Sequence, residues 1–106
     1  MSRIDQLIEF LKETPNDPFL HYAIAQEHNK AGNKELALEK YHELVTKFPN
    51  YVGTYYHLGK TQIALGQKTE AMTTFETGIK IAQEIKDQHS LAELQSARLE
   101  LLYDED

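Results

Sequence analysis

Among its 106 residues the sequence has no cysteine and no tryptophan, and only three prolines and five glycines. Without cysteine, neither a disulfide framework nor a thiolate metal site is available. Basic residues are also scarce: 11 Lys and Arg stand against 17 Asp and Glu, giving a net charge of -6. That sign disfavours a nucleic-acid partner, whose affinity draws mainly on cations that neutralise phosphates. No stretch approaches the roughly 18 apolar residues of a membrane span. The opening Met1-Ser2-Arg3-Ile4-Asp5-Gln6 lacks the basic patch and unbroken apolar run of a signal peptide. The expectation is a cytoplasmic chain with no membrane and no nucleic-acid partner. There is no Gly-x-Ser-x-Gly elbow and no Gly-rich phosphate loop, so no catalytic residue and no cofactor are expected. Hydrophobic residues at 41% and charged ones at 26% are ordinary for a folded chain and too apolar for disorder.

What the sequence does contain is a period. Pro15 and Pro49 are separated by 34 positions, and residues 18–51 laid over 52–85 pair Tyr22 with Tyr56, Ile24 with Leu58 and Ala25 with Gly59. The same register pairs Gly32 with Gly66, Lys34 with Lys68, Ala37 with Ala71, and Tyr41 with Phe75. An internal repeat of this length cannot bury its apolar face alone, so units must stack.

Each unit reads as two helices. Asp17-Pro18 opens the first, a capping carboxylate followed by a proline tolerated in the first turn. Gly32 closes it in a left-handed turn, and Asn33 is expected to cap the helix carrying Leu36, Ala37, Tyr41, Leu44 and Phe48. In the second unit Asn50 precedes the first helix and Gly66 divides the two. With no proline at Gln83, the second helix should run on toward Lys86. Ahead of the repeats, Ser2 caps a helix presenting Ile4, Leu7, Ile8 and Leu11, which Pro15 stops at Thr14. After them, Ser90-Leu91-Ala92-Glu93 reads as a capping box. It opens a helix whose inward stripe is Leu91, Leu94, Ala97 and Leu101, with Leu99 and Leu102 off that stripe. No strand-like alternation occurs.

These residues resemble the tetratricopeptide repeat family, whose 34-residue unit carries W-x2-L-G-x2-Y, then A-x3-F, then P. The pattern falls on His21, Ile24, Ala25, His28, Ala37, Tyr41 and Pro49, and again on Tyr55, Leu58, Gly59, Gln62, Ala71, Phe75 and Gln83. His21, His28, Gln62 and Gln83 depart from it. The resemblance implies an all-α fold in which antiparallel helix-turn-helix repeats stack as a short right-handed superhelix of about six helices. Residues 1–106 then form one domain: a half-repeat helix at 3–14, repeats at 18–51 and 52–85, and a capping helix at 90–103.

Proteins of this family typically hold a peptide or helix of a partner in the groove lined by the first helices of successive units. Carried over, that groove comprises Phe19, Tyr22, Gln26, Asn29 and Lys30 from the first unit and Tyr56, His57, Lys60 and Ile63 from the second. Tyr22 and Tyr56 either line the channel or pack between helices, and both readings stand at this point. The groove lysines are suited to an acidic residue of a partner. A family subset grips chaperone carboxylate tails with lysine, arginine and asparagine. Here only Lys60, Lys30 and Asn29 are available, with Tyr22, Gln26 and Tyr56 standing where that set belongs. The five histidines raise a metal reading. Glu39 and His42 form a single Glu-x-x-His step, yet carboxylate di-iron bundles need two plus further glutamates, and His21 and His28 occupy packing positions. No metal ligand is therefore assigned. The alternative to groove binding is a homodimer formed through the terminal helices, using Phe10 at one end and Leu99, Leu102 and Tyr103 at the other. Asp104 to Asp106 read as a solvated, frayed tail.

Overall fold

A computed structural model describes residues 2–104. It contains α1 (Arg3–Glu13), α2 (Pro18–Lys30), α3 (Lys34–Lys47), α4 (Gly53–Ala64), α5 (Lys68–Ile85) and α6 (Gln88–Leu102), with no strand among the described residues. α2 pairs with α3 and α4 with α5 as hairpins. α1 packs on α2, α3 on α4, α5 on α6, and α6 also touches α4. The molecule measures 43 × 32 × 19 Å, and the short dimension is about two helix diameters. The helices therefore form two layers, with α2, α4 and α6 in one of them.

The turns repeat as faithfully as the sequence does. Gly32 and Gly66 adopt φ of 85° and 79°. Past each, an amide reaches back to close the helix, Asn33 N–H to His28 O at 2.9 Å and Gln67 N–H to Gln62 O at 2.8 Å. A third copy of this closure ends α5, where Asp87 N–H donates to Ala82 O at 2.9 Å. Here the left-handed position is filled by Lys86 at φ 61°. A side chain is disfavoured in that conformation and glycine is not. Lys86→Gly is expected to raise stability by about 1 kcal/mol, read as a higher urea midpoint at unchanged slope.

Helix starts differ from expectation in two places. Asn33 occupies the N-cap of α3 without making a side-chain capping bond. Asn50 does precede α4, whose N-cap is Val52, and it falls within a turn in which Tyr51 N–H bonds to Phe48 O at 3.0 Å. α6 begins at Gln88 rather than at residue 90, because Asp87 and not Ser90 is its cap. The Asp87 carboxylate accepts the Ser90 N–H and the Ser90 hydroxyl, both at 3.0 Å. It thereby satisfies two donors where the Ser90 hydroxyl offers a cap to one. At the other end, α5 does continue past Gln83, as far as Ile85.

The core explains two of the departures from the family pattern, His21 and Gln62. His21 donates from Nε2 to Pro15 O at 2.8 Å, and one repeat later Tyr55 donates its hydroxyl to Pro49 O at 2.8 Å. The histidine thus makes the tyrosine's bond at the same place in the unit, while its ring lies 5.7 Å from that of Phe48. Gln62, where the family has tyrosine, is buried and accepts from the Thr74 hydroxyl at 2.7 Å. Tyr41 and Phe75, both 0% exposed, anchor successive parts of the interior. Phe75 lies so close over Gly59 that a Cβ there would sit 2.2 Å from Phe75 Cε1. Gly78 meets a comparable limit at Tyr55 Cβ, 2.6 Å away.

Candidate partner-binding groove

The layer of α2, α4 and α6 carries a row of aromatic rings. Tyr22 and Gln26 on α2 are one helical turn apart and share a face. Tyr56, His57 and Lys60 project from the neighbouring stretch of α4. Tyr22 meets His57 edge-on at 5.5 Å and Tyr51 at 5.7 Å. His57 stacks on Tyr41 at 6.3 Å and receives Tyr56 edge-on at 5.3 Å. Offset and edge contacts at these separations suit ring quadrupoles and hold the rings in fixed orientations.

Hydrogen bonds orient the row from below. The Tyr41 hydroxyl donates to Gln26 Oε1. This leaves the Gln26 amide nitrogen to donate to the Tyr22 hydroxyl at 3.1 Å. Tyr22 is half-buried: its ring packs against Tyr41 of α3 and His57 of α4, and it also borders the cleft beside Tyr51. Burial, Tyr51 and Glu93 together raise its pKa, and Tyr41 is raised further, chiefly by burial. Both are neutral donors and acceptors at physiological pH.

Two separate clefts lie along the row. A space of about 390 Å³ lies between Tyr22, Tyr51 and the start of α6 at Asp87 and Ser90. A smaller one is bounded by Tyr56 and Lys60 on α4 and by Glu93, Ser96 and Glu100 on α6. Lys60 Nζ lies 5.9 Å from the Tyr56 ring centroid, within cation–π range. Ile63 continues the wall beside Lys60 and Glu100.

Other residues expected in the groove are engaged differently. Lys30 joins a surface chain of ion pairs, 3.5 Å from Glu27, which in turn faces Arg3 of α1 at 4.0 Å. Asn29 accepts from Lys34 Nζ at 3.1 Å. Phe19 is half exposed at the start of α2, outside the ring row. Conversely, Glu93, Ser96 and Glu100 line the cleft although α6 is expected only as a cap. Their signal was available: Glu93 and Glu100 are seven apart and fall beside the inward stripe of Leu94, Ala97 and Leu101. Tyr51, a loop residue, had no such signal. Among the described residues no group of three or more His, Asp or Glu is placed to hold a metal ion, and no helix is long and apolar enough to cross a membrane.

His57 gives the site a pH dependence. Burial lowers its pKa below the ordinary 6.5, with Glu93 opposing, and Tyr22, Tyr41 and Tyr56 face it. A depressed folded value means that the unfolded chain takes up the proton first. The stability His57 contributes is complete above its unfolded pKa and is lost as pH falls through 6.5 toward the folded value. The urea midpoint is expected to fall between about pH 7.5 and 5.5, and to fall less in His57→Phe.

Stacked helical hairpins define a helical-repeat protein. Two family models, each described as tetratricopeptide repeat, match residues 19–51 and 52–85. The chain belongs to the tetratricopeptide repeat family. The crystal structure of a tetratricopeptide repeat domain protein from Salinibacter ruber is similar at 47% identity and a TM-score of 0.79, over 82% of this chain and 98% of that one. A solution structure of a Salinibacter ruber domain gives 48% identity and a TM-score of 0.79, over 82% and 88%. The TPR2B domain of yeast Sti1, in its pHsp70 complex, shares the fold at a TM-score of 0.84 and 20% identity, over 92% and 78%. No curated protein matches the chain. Domains of this family are in general protein–protein interaction modules, and the fold is generally non-catalytic.

Proposed function

We propose that this chain is a non-catalytic adaptor that binds a peptide or helix of a protein partner along the groove of α2, α4 and α6. The observation that carries the reading is the row Tyr22, Tyr51, His57 and Tyr56, oriented through Gln26 and Tyr41 and bordered by open clefts. Rigid amphipathic rings of this kind supply contact area at low entropic cost. The half-repeat role of α1 draws support from the shared bond of His21 to Pro15 and Tyr55 to Pro49. α6 then serves both as cap and as groove wall. A chaperone-tail receptor is disfavoured, since Lys30 and Asn29 already have partners and Tyr22, Gln26 and Tyr56 replace the cationic set. The test is binding of groove-selected peptides to Tyr22→Ala. Because Tyr22 is only half-buried, the variant keeps its helical circular-dichroism spectrum. Its affinity is expected to fall at least about tenfold, as for an aromatic anchor. Undiminished affinity would remove the groove reading.

A second reading, self-association through the terminal helices, is favoured by exposed apolar side chains. Leu99 and Leu102 are both about half exposed, with Tyr103 at 73% and Phe10 at 58%. Light scattering on a sizing column over a wide concentration range decides this: a dimer mass supports it, and a monomer mass throughout retires it.

A further inference from the structure

The α6 side of the groove bears charge of one sign. Glu93 and Glu100 border the cleft below Tyr56, two helical turns or about 10 Å apart along α6, and neither forms an ion pair among the described residues. The Asp87 carboxylate stands at the head of the same row, beside Tyr22 and Tyr51. Glu93 is felt across the groove, where its charge acts on Tyr22 of α2 and His57 of α4. The opposite wall is aromatic, and ring faces carry the negative end of a quadrupole. The cation in this cleft is Lys60, and it lies over the Tyr56 ring. An acidic segment entering here would meet like charges, which costs affinity. A second copy of a chain with net charge -6 is a poor occupant for the same reason.

We infer that the occupant of the groove is a basic peptide segment, whose Lys or Arg side chains lie between the aromatic wall of Tyr22, Tyr51 and Tyr56 and the carboxylates of Glu93 and Glu100. This rests on the groove reading above and fixes the chemistry of its partner. It also reverses the sign that the groove lysines alone suggest: Lys60 competes with the ligand's cation instead of recruiting an anion. Two cations about 10 Å apart match residues seven apart on a helix or three apart on an extended chain.

The test is selection of random 12-residue peptides displayed on phage over the immobilised full chain, followed by anisotropy measurements with the enriched peptides. The enriched sequences are expected to be rich in Lys and Arg. Their affinity should fall roughly tenfold in Glu93→Gln/Glu100→Gln, fall with added salt, and rise a few-fold in Lys60→Gln. Glu100 is exposed, Glu93 is half-buried, and the replacements are near-isosteric, so an unchanged helical circular-dichroism spectrum is expected for the pair. Acidic or neutral enriched peptides, or basic ones indifferent to the glutamine pair, overturn this inference. If such peptides still require Tyr22, the groove reading survives. Peptides indifferent to Tyr22 as well remove both readings, as does a selection that enriches nothing.

Discussion

Gly59→Ala is expected to destabilise the domain by about 3 kcal/mol, at the upper end of the range for overpacked cores, although alanine is the better helix former by about 1 kcal/mol. The added methyl would lie 2.2 Å from Phe75 Cε1 and 2.6 Å from Cζ. The ring has no room to retreat, because Phe75 is 0% exposed in a cluster with Tyr55, Ala71 and Leu94. Gly53→Ala makes the control: nothing lies within 4 Å of its Cβ position, and the change is expected to be neutral or stabilising by up to about 1 kcal/mol. Adding Phe75→Leu to Gly59→Ala should return part of the loss, a coupling that a double-mutant cycle in urea measures. Equal midpoints for Gly59→Ala and Gly53→Ala would show that the α4–α5 crossing is looser than described.

Tyr41→Ala is expected to cost about 4 kcal/mol, as for other large buried rings truncated to alanine. A domain of this size commands about 5–15 kcal/mol in total, so the variant should be partly unfolded at 37 °C. Tyr41 joins α3 to the interior beside Ala25, Leu44 and Leu58, and its hydroxyl fixes Gln26. Tyr41→Phe separates the two contributions. It keeps the ring, leaves Gln26 Oε1 without its donor, and should cost about 1 kcal/mol. It should also weaken groove binding through Tyr22, whose hydroxyl Gln26 orients. Thermal melts resolve the stability difference, and anisotropy with selected peptides resolves the effect on binding.

The scaffold was legible because its constraints are local and recur. The 34-residue offset between Pro15 and Pro49 carries through to matched hydrogen bonds at their carbonyls. The small residues Ala25, Ala37, Gly59 and Ala71 proved to be buried helix-crossing positions. Helix starts were less legible. Asp87 and Ser90 are both good capping residues three positions apart, and only the carboxylate's reach to two donors decides between them.

Of the residues that border the candidate groove, Tyr22, Gln26, Tyr56, His57, Lys60 and Ile63 were legible on α2 and α4, and those on α6 were not. Adding 34 to Tyr56 and Lys60 gives Ser90 and Leu94, and both are buried. The start of α6 keeps the spacing, with Pro18, Gly53 and Gln88 each 35 residues apart, so the difference lies in which of its side chains face the cleft and not in where the helix begins. Glu93 and Glu100 therefore reach the groove from positions that repeat arithmetic does not mark. Lys30 sits at its repeat position, with Glu27 three residues earlier beside its charge.

Amide chemical-shift mapping of the folded domain with a selected peptide tests the central claim most directly. Binding in the groove predicts perturbations concentrated at Tyr22, Gln26, Tyr56, Lys60, Glu93 and Glu100. Shifts confined to Leu99, Leu102 and Tyr103, with the groove amides unmoved, would contradict it.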